Sequence, residues 1–526
     1  MKTKSWMIVL LLLAGACRKE GAGPEPLPVS DPREEVSHGM IVLGEKLEDP
    51  YAVAHVTKAL EALYPTRASR IDVTPTDLYV RFLPADAAQY ESLVASGLVL
   101  MDHPLDYRII RDGDYYHDPE LAETEITWQY AVVPKDFSFP EGIRKEILDH
   151  CYIPENDPAT RSDDGVDWEA VIRESYRLTG NADRLLPLTR AEAGSPKGRI
   201  TVVDEEANGG KPFGVAGVRV LCNSFVKFSA AYTDRDGYYE IGTRYSSDVR
   251  YRLMFKNAEG FSIGLNLILV PASTSALGKG APEGIDVEVT AESDRKLYCR
   301  CVVNNAVVDY LSRCGEDDLD ISLPPSGLRI WILQQFDASS SVMLHHGAFI
   351  EDGLVARFLG EYAPLVKTFL PDITLGVKDA QGYATLYGGT CHELAHASHY
   401  AKVGNSYWNH YIQYILTSYV SSGGQPYGTG TEADAGYCEV GEMWGYFMQN
   451  KLFHDRYGGA MPESGTTWWF HPQILRYLND RGLSVSQLFK AHAGDVTDRE
   501  KLRARLTALY GDKKAIIDQI FGRYAE

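Results

Sequence analysis

Residues 388–400 read Gly-Gly-Thr-Cys-His-Glu-Leu-Ala-His-Ala-Ser-His-Tyr, and the chemistry of the C-terminal half of the chain turns on them. The stretch sits in a predicted helix that follows a strand and a loop. Four residues are slightly more than one helical turn, so His392 and His396 project from one face and can share one tetrahedral ion. Glu393 lies beside the first histidine, within reach of a water on that ion. His392-Glu393-x-x-His396 is thus the HExxH zinc pattern: zinc lowers the pKa of its water to near 7, and the carboxylate takes the proton as the water attacks a carbonyl. Three fixed positions also arise by chance in roughly one or two such chains in a hundred, so the helical setting has to support the motif. His399 shares the same face. It is expected as a packed histidine under the site, with contact to the ligands or the substrate as the other reading.

The motif leaves the third ligand open. In the metzincin pattern HExxHxxGxxH a glycine and a further histidine follow, but here His399 and Lys402 stand at those positions. Residues 437–450 (YCEVGEMWGYFMQN) predict an aromatic-rich helix after the glycine-rich loop 421–430. Within it, Glu442-Met443-Trp444-Gly445-Tyr446-Phe447 resembles the gluzincin helix, in which a ligand glutamate is followed by small and aromatic residues. The resemblance covers residues 300–526. It implies a zincin-like, mainly α catalytic domain with a small sheet, and Zn2+ held by His392, His396 and Glu442. Glu439 is the second candidate for the third position and Glu432 the third; a solvated helix charge is the plain alternative for each. Gluzincins usually add a tyrosine or histidine that stabilises the oxyanion. Tyr446, His454 and His471 are the candidates here, and the sequence does not choose among them; His471 is set beside Glu393 as the catalytic pair. Cys391 precedes the first ligand and Cys438 lies one turn before Glu442, so a disulfide between the two ligand helices is one expectation, buried free thiols the second and Cys438 as a zinc ligand the third.

Upstream, the texture changes twice. Between 196 and 290, short segments at Arg199 to Val203, Val218 to Cys222, Phe225 to Thr233, Tyr238 to Ile241 and Val249 to Phe255 read as strands spaced as in a sandwich. Thr233-Asp234-Arg235-Asp236-Gly237-Tyr238-Tyr239 places a tight turn between aromatic strands. With Gly217-Val218-Arg219-Val220 it resembles the transthyretin-like β-sandwich, a regulatory and non-catalytic domain in carboxypeptidases. A calcium loop competes for the two aspartates, but further oxygen ligands and a terminal glutamate are missing. Residues 41–192 read as a small α/β region of unknown role: a helix Tyr51 to Tyr64 started by Asp49-Pro50, a strand Leu78 to Leu83, a helix Asp86 to Ser96 and a strand Leu98 to Met101. In the catalytic region (297–526), Leu297 to Ser312 and Gly353 to Phe369 read as helices, Leu328 to Leu333 and Asp372 to Val377 as buried strands, and the chain beyond 384 as almost wholly helical. The fold class expected is multidomain α+β.

Within the 526 residues, 72 acidic side chains outweigh 52 basic ones, for a net charge of −20. Such a chain lacks the positive field that phosphate binding needs, which argues against nucleic acid and against broad adhesion to anionic lipid. Lys2 and Lys4, the apolar run Trp6 to Leu13 and Ala14-Gly15-Ala16 form an export signal too short to span a membrane. Cys17 after it resembles the lipidated cysteine of bacterial lipoproteins, although Ala14 stands where leucine is usual; cleavage after Ala16 with release is the alternative. Residues 18–40, rich in proline, glycine and charge, suit a flexible tether. The resulting expectation is an exported zinc peptidase at the bacterial surface, touching membrane only through its lipid and acting on peptide or protein substrates, with its oligomeric state open. Two rivals stand beside it: a surface binding or adhesion protein with an inactive zincin domain, and a zinc amidase acting on cell-wall peptides.

Overall fold

The computed structural model describes residues 39–524 apart from 67, 69–70, 123–124, 162–164, 187–193, 265–273, 335–341, 344–371, 381 and 423–426. The expected export segment, the tether as far as residue 38 and the helix Gly353 to Phe369 lie outside the described residues. The chain is a mixed α/β protein with several small sheets.

The N-terminal region comprises β1 (Val42–Lys46), α1 (Val53–Leu63), β2 (Asp77–Leu83), α2 (Ala87–Ala95), β3 (Tyr107–Arg111), β4 (Gln129–Pro134), β5 (Arg144–Cys151) and α3 (Trp168–Leu178). Strand β2 lies between β4 and β5, antiparallel to both, while β1 pairs with β3. Side chains alternate across a strand, and β2 buries both faces: Leu78, Val80 and Phe82 enter one core with Tyr90 and Leu93 of α2, and Tyr79 enters another with Val56 and Leu60 of α1. Two expectations need correcting. Helix α1 starts at Val53 rather than Tyr51, because Ala52 is extended (φ −58°, ψ 132°) and bridges to Cys151, and Asp49 accepts from the Tyr51 N–H at 2.9 Å in a turn ahead of the helix. Leu98 to Met101 makes only the single bridge Met101–Tyr130 before the chain bends at Asp102-His103, so no strand forms.

The middle region holds β6 (Lys197–Val202), β7 (Phe213–Gly214), β8 (Arg219–Ser224), β9 (Lys227–Tyr232), β10 (Tyr238–Glu240), β11 (Val249–Met254), β12 (Ser262–Gly264), β13 (Thr274–Gly280) and β14 (Val287–Val289). One sheet runs β10-β6-β14 with β7 on β6, and the other β13-β11-β8-β9. Ile200, Val202 and Tyr239 of the first share a core with Val220, Cys222, Tyr251 and Leu253 of the second. Phe225 and Val226, expected inside a strand, are the two-residue turn of the β8–β9 hairpin, with Phe225 at φ 49°. At the Asp234–Gly237 turn, one Asp234 oxygen accepts from the N–H groups of Asp236 and Tyr238, both at 2.9 Å, and Gly237 takes φ 83°. That carboxylate therefore serves its own backbone.

Strand β12 leaves this region and pairs in parallel with β15 (Arg329–Leu333), in a sheet ordered β12-β15-β17-β16 with β16 at Val342–Met343 and β17 at Ile373–Gly376. Helix α4 (Arg295–Arg313) is buried on most sides. Its Asn304 and Asn305 donate to the Ala216 and Gly214 carbonyls, both at 2.8 Å. Then follow α5 (Tyr383–Ser421), α6 (Ala435–Tyr457), α7 (Gln473–Asp480), α8 (Val485–Ala491), α9 (Arg499–Leu509) and α10 (Lys514–Phe521). Helix α5 is broken at Gly404, at φ 80° and ψ −179°. One hydrophobic core runs unbroken from the two-sheet region through α4 to these helices. Among the described residues no helix is long and apolar enough to cross a membrane.

Candidate metal centre

The first part of α5 carries the HExxH residues with their backbone packed on every side: Cys391, Leu394, Ala395 and Ala397 are fully buried. His392 and His396 sit one turn apart and face α6. Their Nε2 atoms are 3.0 Å apart; Glu442 Oε2 lies 3.4 Å from the first and Glu442 Oε1 3.5 Å from the second. All three residues are 4% exposed or less. Donor atoms about 2.0–2.1 Å from one tetrahedral ion lie about 3.3 Å from each other, so this triangle has the edge lengths of a zinc ligand set. Among the described residues it is the one group of three or more histidine, cysteine or carboxylate side chains placed to hold a metal ion.

The charge states also suit ligation. Burial alone would raise the Glu442 carboxyl, but the two imidazoles outweigh burial and hold it below the usual carboxylate range. Burial lowers His396, keeping it neutral as a ligand must be. Burial opposes charge on His392 as well, but Glu442 prevails and pulls it upward. A cation among the three atoms supplies the positive charge that Glu442 otherwise draws from His392.

Neighbouring side chains aim the ligands. Gln449 Oε1 lies 3.1 Å from His392 Nδ1, which puts the proton on Nδ1 and leaves the Nε2 lone pair facing the centre. Tyr411 donates its hydroxyl to Glu442 Oε1. Trp444 Nε1 donates to the Ala395 carbonyl at 3.2 Å, tying α6 to the residue before His396. Gly445 lets the backbones meet: a Cβ there would lie 2.7 Å from His396 Cε1 and 2.9 Å from His392 Cε1. Tyr446 sets its ring 4.5 Å from that of His392, with its hydroxyl 3.2 Å from Tyr427 Oη.

Of the glutamates considered, Glu442 is the one brought to the two histidines. Glu439 instead accepts from the Arg499 N–H at 2.9 Å and faces its guanidinium at 3.3 Å, at the start of α9. Glu432 accepts from the Thr429 N–H at 3.0 Å and from Tyr414 Oη at 3.1 Å in the loop before α6. Glu393, buried at 2% exposure, lies next to His392 and about 100° round the helix from it. His399 is a packed histidine, fully buried against Tyr407, Trp408 and His492, and burial pushes it well below its usual pKa. Among the oxyanion candidates, Tyr446 is the one set against the ligands. His454 lies twelve residues beyond Glu442, about 18 Å along the helix axis, and the His471 ring packs 4.8 Å from Tyr524. Cys391 and Cys438 are both buried free thiols, so the two ligand helices are joined by packing and not by a disulfide.

Sequence reasoning missed Tyr411, Gln449 and the use of Gly445. A glycine inside α6 was the available signal for the last, since it costs about 1 kcal/mol unless packing requires it. Tyr411 and Gln449 carry no such mark. Compared with protein-family models, with curated proteins and with solved structures, the chain matches none.

Proposed function

We propose that this protein is a zinc-dependent peptidase, exported and held at the bacterial surface through Cys17, which hydrolyses peptide bonds in peptide or protein substrates. The observation that carries the reading is the buried triangle of His392, His396 and Glu442 next to Glu393, in a metal-sized arrangement. When bound, zinc supplies Lewis acidity, lowering the pKa of a coordinated water to about 7 and polarising a carbonyl. Glu393 takes the proton from the attacking water and returns it to the leaving amine. His392, aimed by Gln449, and neutral His396 leave the net charge of the ligand set at −1, contributed by Glu442. Tyr446 offers its hydroxyl to the carbonyl oxygen as charge builds there. The gluzincin-like order of the motifs supports this assignment. The two-sheet region serves as a transthyretin-like, non-catalytic module.

Metal content measured by mass spectrometry on residues 18–526 tests the reading beside His396→Ala and Glu393→Gln. The expected result is one zinc per wild-type chain, lost in His396→Ala. It is retained in Glu393→Gln, whose hydrolysis of a mixed peptide library falls by about 10²–10⁴-fold. Wild-type protein without zinc after reconstitution sinks the metal reading. Zinc without hydrolysis leaves the surface-binding role, and hydrolysis confined to peptidoglycan fragments leaves the amidase.

A further inference from the structure

Glu442 is the anionic member of the ligand group, and its carboxylate is 1% exposed. A carboxylate turns about a broad terminal torsion, so a defined ligand needs a partner that fixes it. Tyr411 is that partner. Its hydroxyl donates to Oε1, the oxygen 3.5 Å from His396 Nε2. Its ring is held in turn, stacked on Trp408 with centroids 4.6 Å apart and planes at 26°. The same ring sits 5.7 Å from that of His396. Gly441 opens the space for it: a Cβ at that position would lie 3.1 Å and 3.2 Å from two Tyr411 ring carbons. Thus a side chain from beyond the break in α5, a glycine of α6 and a stacked tryptophan all converge on one carboxylate oxygen.

The three ligands are not held alike. His392 is oriented through Nδ1 by Gln449, whereas His396 Nδ1 is buried without a hydrogen-bond partner among the described residues. Orientation of the group therefore rests on Gln449 at one corner and Tyr411 at another. On the metal-binding reading above, we infer that Tyr411 is a positioning residue of this site, whose hydroxyl fixes the Glu442 carboxylate and thereby sets the affinity for zinc. The plain alternative is that Tyr411 only fills the core beside Trp408, in which case its hydroxyl is dispensable.

Tyr414 supplies an internal control. It lies three residues on in the same helix and also donates to a glutamate, Glu432, at 3.1 Å, and to the Tyr427 carbonyl at 2.8 Å, but it does not belong to the ligand group. Tyr411→Phe and Tyr414→Phe each remove one such hydroxyl and keep the ring. Zinc affinity of the full chain is measured by competition with a chromophoric chelator, together with the visible spectrum of the cobalt-loaded protein. Tyr411→Phe is expected to weaken zinc binding about 10–100-fold, the range found for partners of metal ligands, and to shift the cobalt bands. Tyr414→Phe stays within about twofold of wild type. If wild type binds no zinc, the metal reading itself fails. If wild type binds zinc and Tyr411→Phe binds it equally with an unchanged cobalt spectrum, the metal reading stands and this inference is overturned. Should Tyr411→Phe fail to fold, Gly441→Ala decides, because it keeps the hydroxyl and displaces the ring: weaker zinc binding supports the role, and unchanged binding removes it.

Discussion

Gly445 sets the distance between the two ligand helices. Alanine is the better helix former by about 1 kcal/mol, and on an open helix face Gly445→Ala would stabilise. Here the added methyl would meet His396 Nε2 at 2.8 Å and Cε1 at 2.7 Å, closer than packed carbon atoms approach. The imidazole must move, and the move separates it from Glu442. Gly445→Ala is therefore expected to fold, with helical circular dichroism unchanged, yet to bind zinc about 10–100-fold more weakly than wild type. Wild-type zinc affinity in this variant would show that the helices have slack the distances deny. The same residue marks what was legible beforehand. His392, Glu393 and His396 could be read because a one-turn spacing is a local property, and Glu442 because the small and aromatic residues after it resemble those of a gluzincin helix. Gln449 and Tyr411 could not, because their roles exist only once two helices are laid against each other. Glu439 and Glu442 illustrate the limit: three residues apart on one helix, they part ways because Arg499 arrives from α9, and nothing near residue 439 announces that.

At the scale of the element, α5 is legible as helix and illegible as a fold. Continuous, it would carry Tyr411 about 22 Å along the axis from His396, fifteen residues at about 1.5 Å each. The break at Gly404 turns the second half back and brings Tyr411 onto the carboxylate that faces His396. Gly404 takes φ 80° with ψ −179°, a region essentially closed to residues with a Cβ. Among the described residues, no atom beyond its own stretch of helix lies within 4 Å of where that Cβ would be, so backbone strain opposes substitution there. Gly404→Ala should thus cost about 1–3 kcal/mol and weaken zinc binding as well. Gly389 is the counterpart. It lies in the same helix before the break, also with open space around its Cβ position, and its backbone is ordinarily helical. Gly389→Ala should gain about 0.5–1 kcal/mol. Urea unfolding of both variants compares one substitution at two sites in one helix, and equal signs would refute the assignment of the break to Gly404. The strands of the middle region show the complementary case: short segments between turns place each of the five expected there, yet the turn at Phe225-Val226 reads as strand because both residues are apolar.

The whole molecule is knit by charges that no local pattern reveals. From the middle region Asp204 receives Arg456 and the Tyr457 hydroxyl, each at 3.0 Å, at the far end of the Glu442 helix. Arg456 lies 4.8 Å from the ring of Tyr383 and 5.1 Å from that of Tyr387, both on the HExxH helix. On the other side, Asp112-Gly113-Asp114 of the N-terminal region reaches across two elements. Asp112 pairs with Arg250 and, at 2.6 Å, with Arg252 of β11; Asp114 pairs at 2.8 Å with Lys296 and at 3.2 Å with Arg300 of α4. Burial would raise the Asp112 carboxyl, but Arg252 and Arg250 outweigh it and hold it below the usual range. The Asp114 and Arg300 side chains are wholly buried. Removing one partner from such a pair strands the other charge in the interior, at about 3–5 kcal/mol. Asp114→Asn should accordingly lower the unfolding free energy of the full chain by about 3–5 kcal/mol, in a single transition that carries α5 and α6 with it. Deleting residues 39–192 strands Arg252 and Arg300 together, so the remainder should not accumulate as folded protein. The N-terminal region then acts as a structural part of the molecule. A truncated chain that folds, binds zinc and hydrolyses peptide faster than the full protein would reverse that conclusion, since the ion pairs would then be a latch that opens.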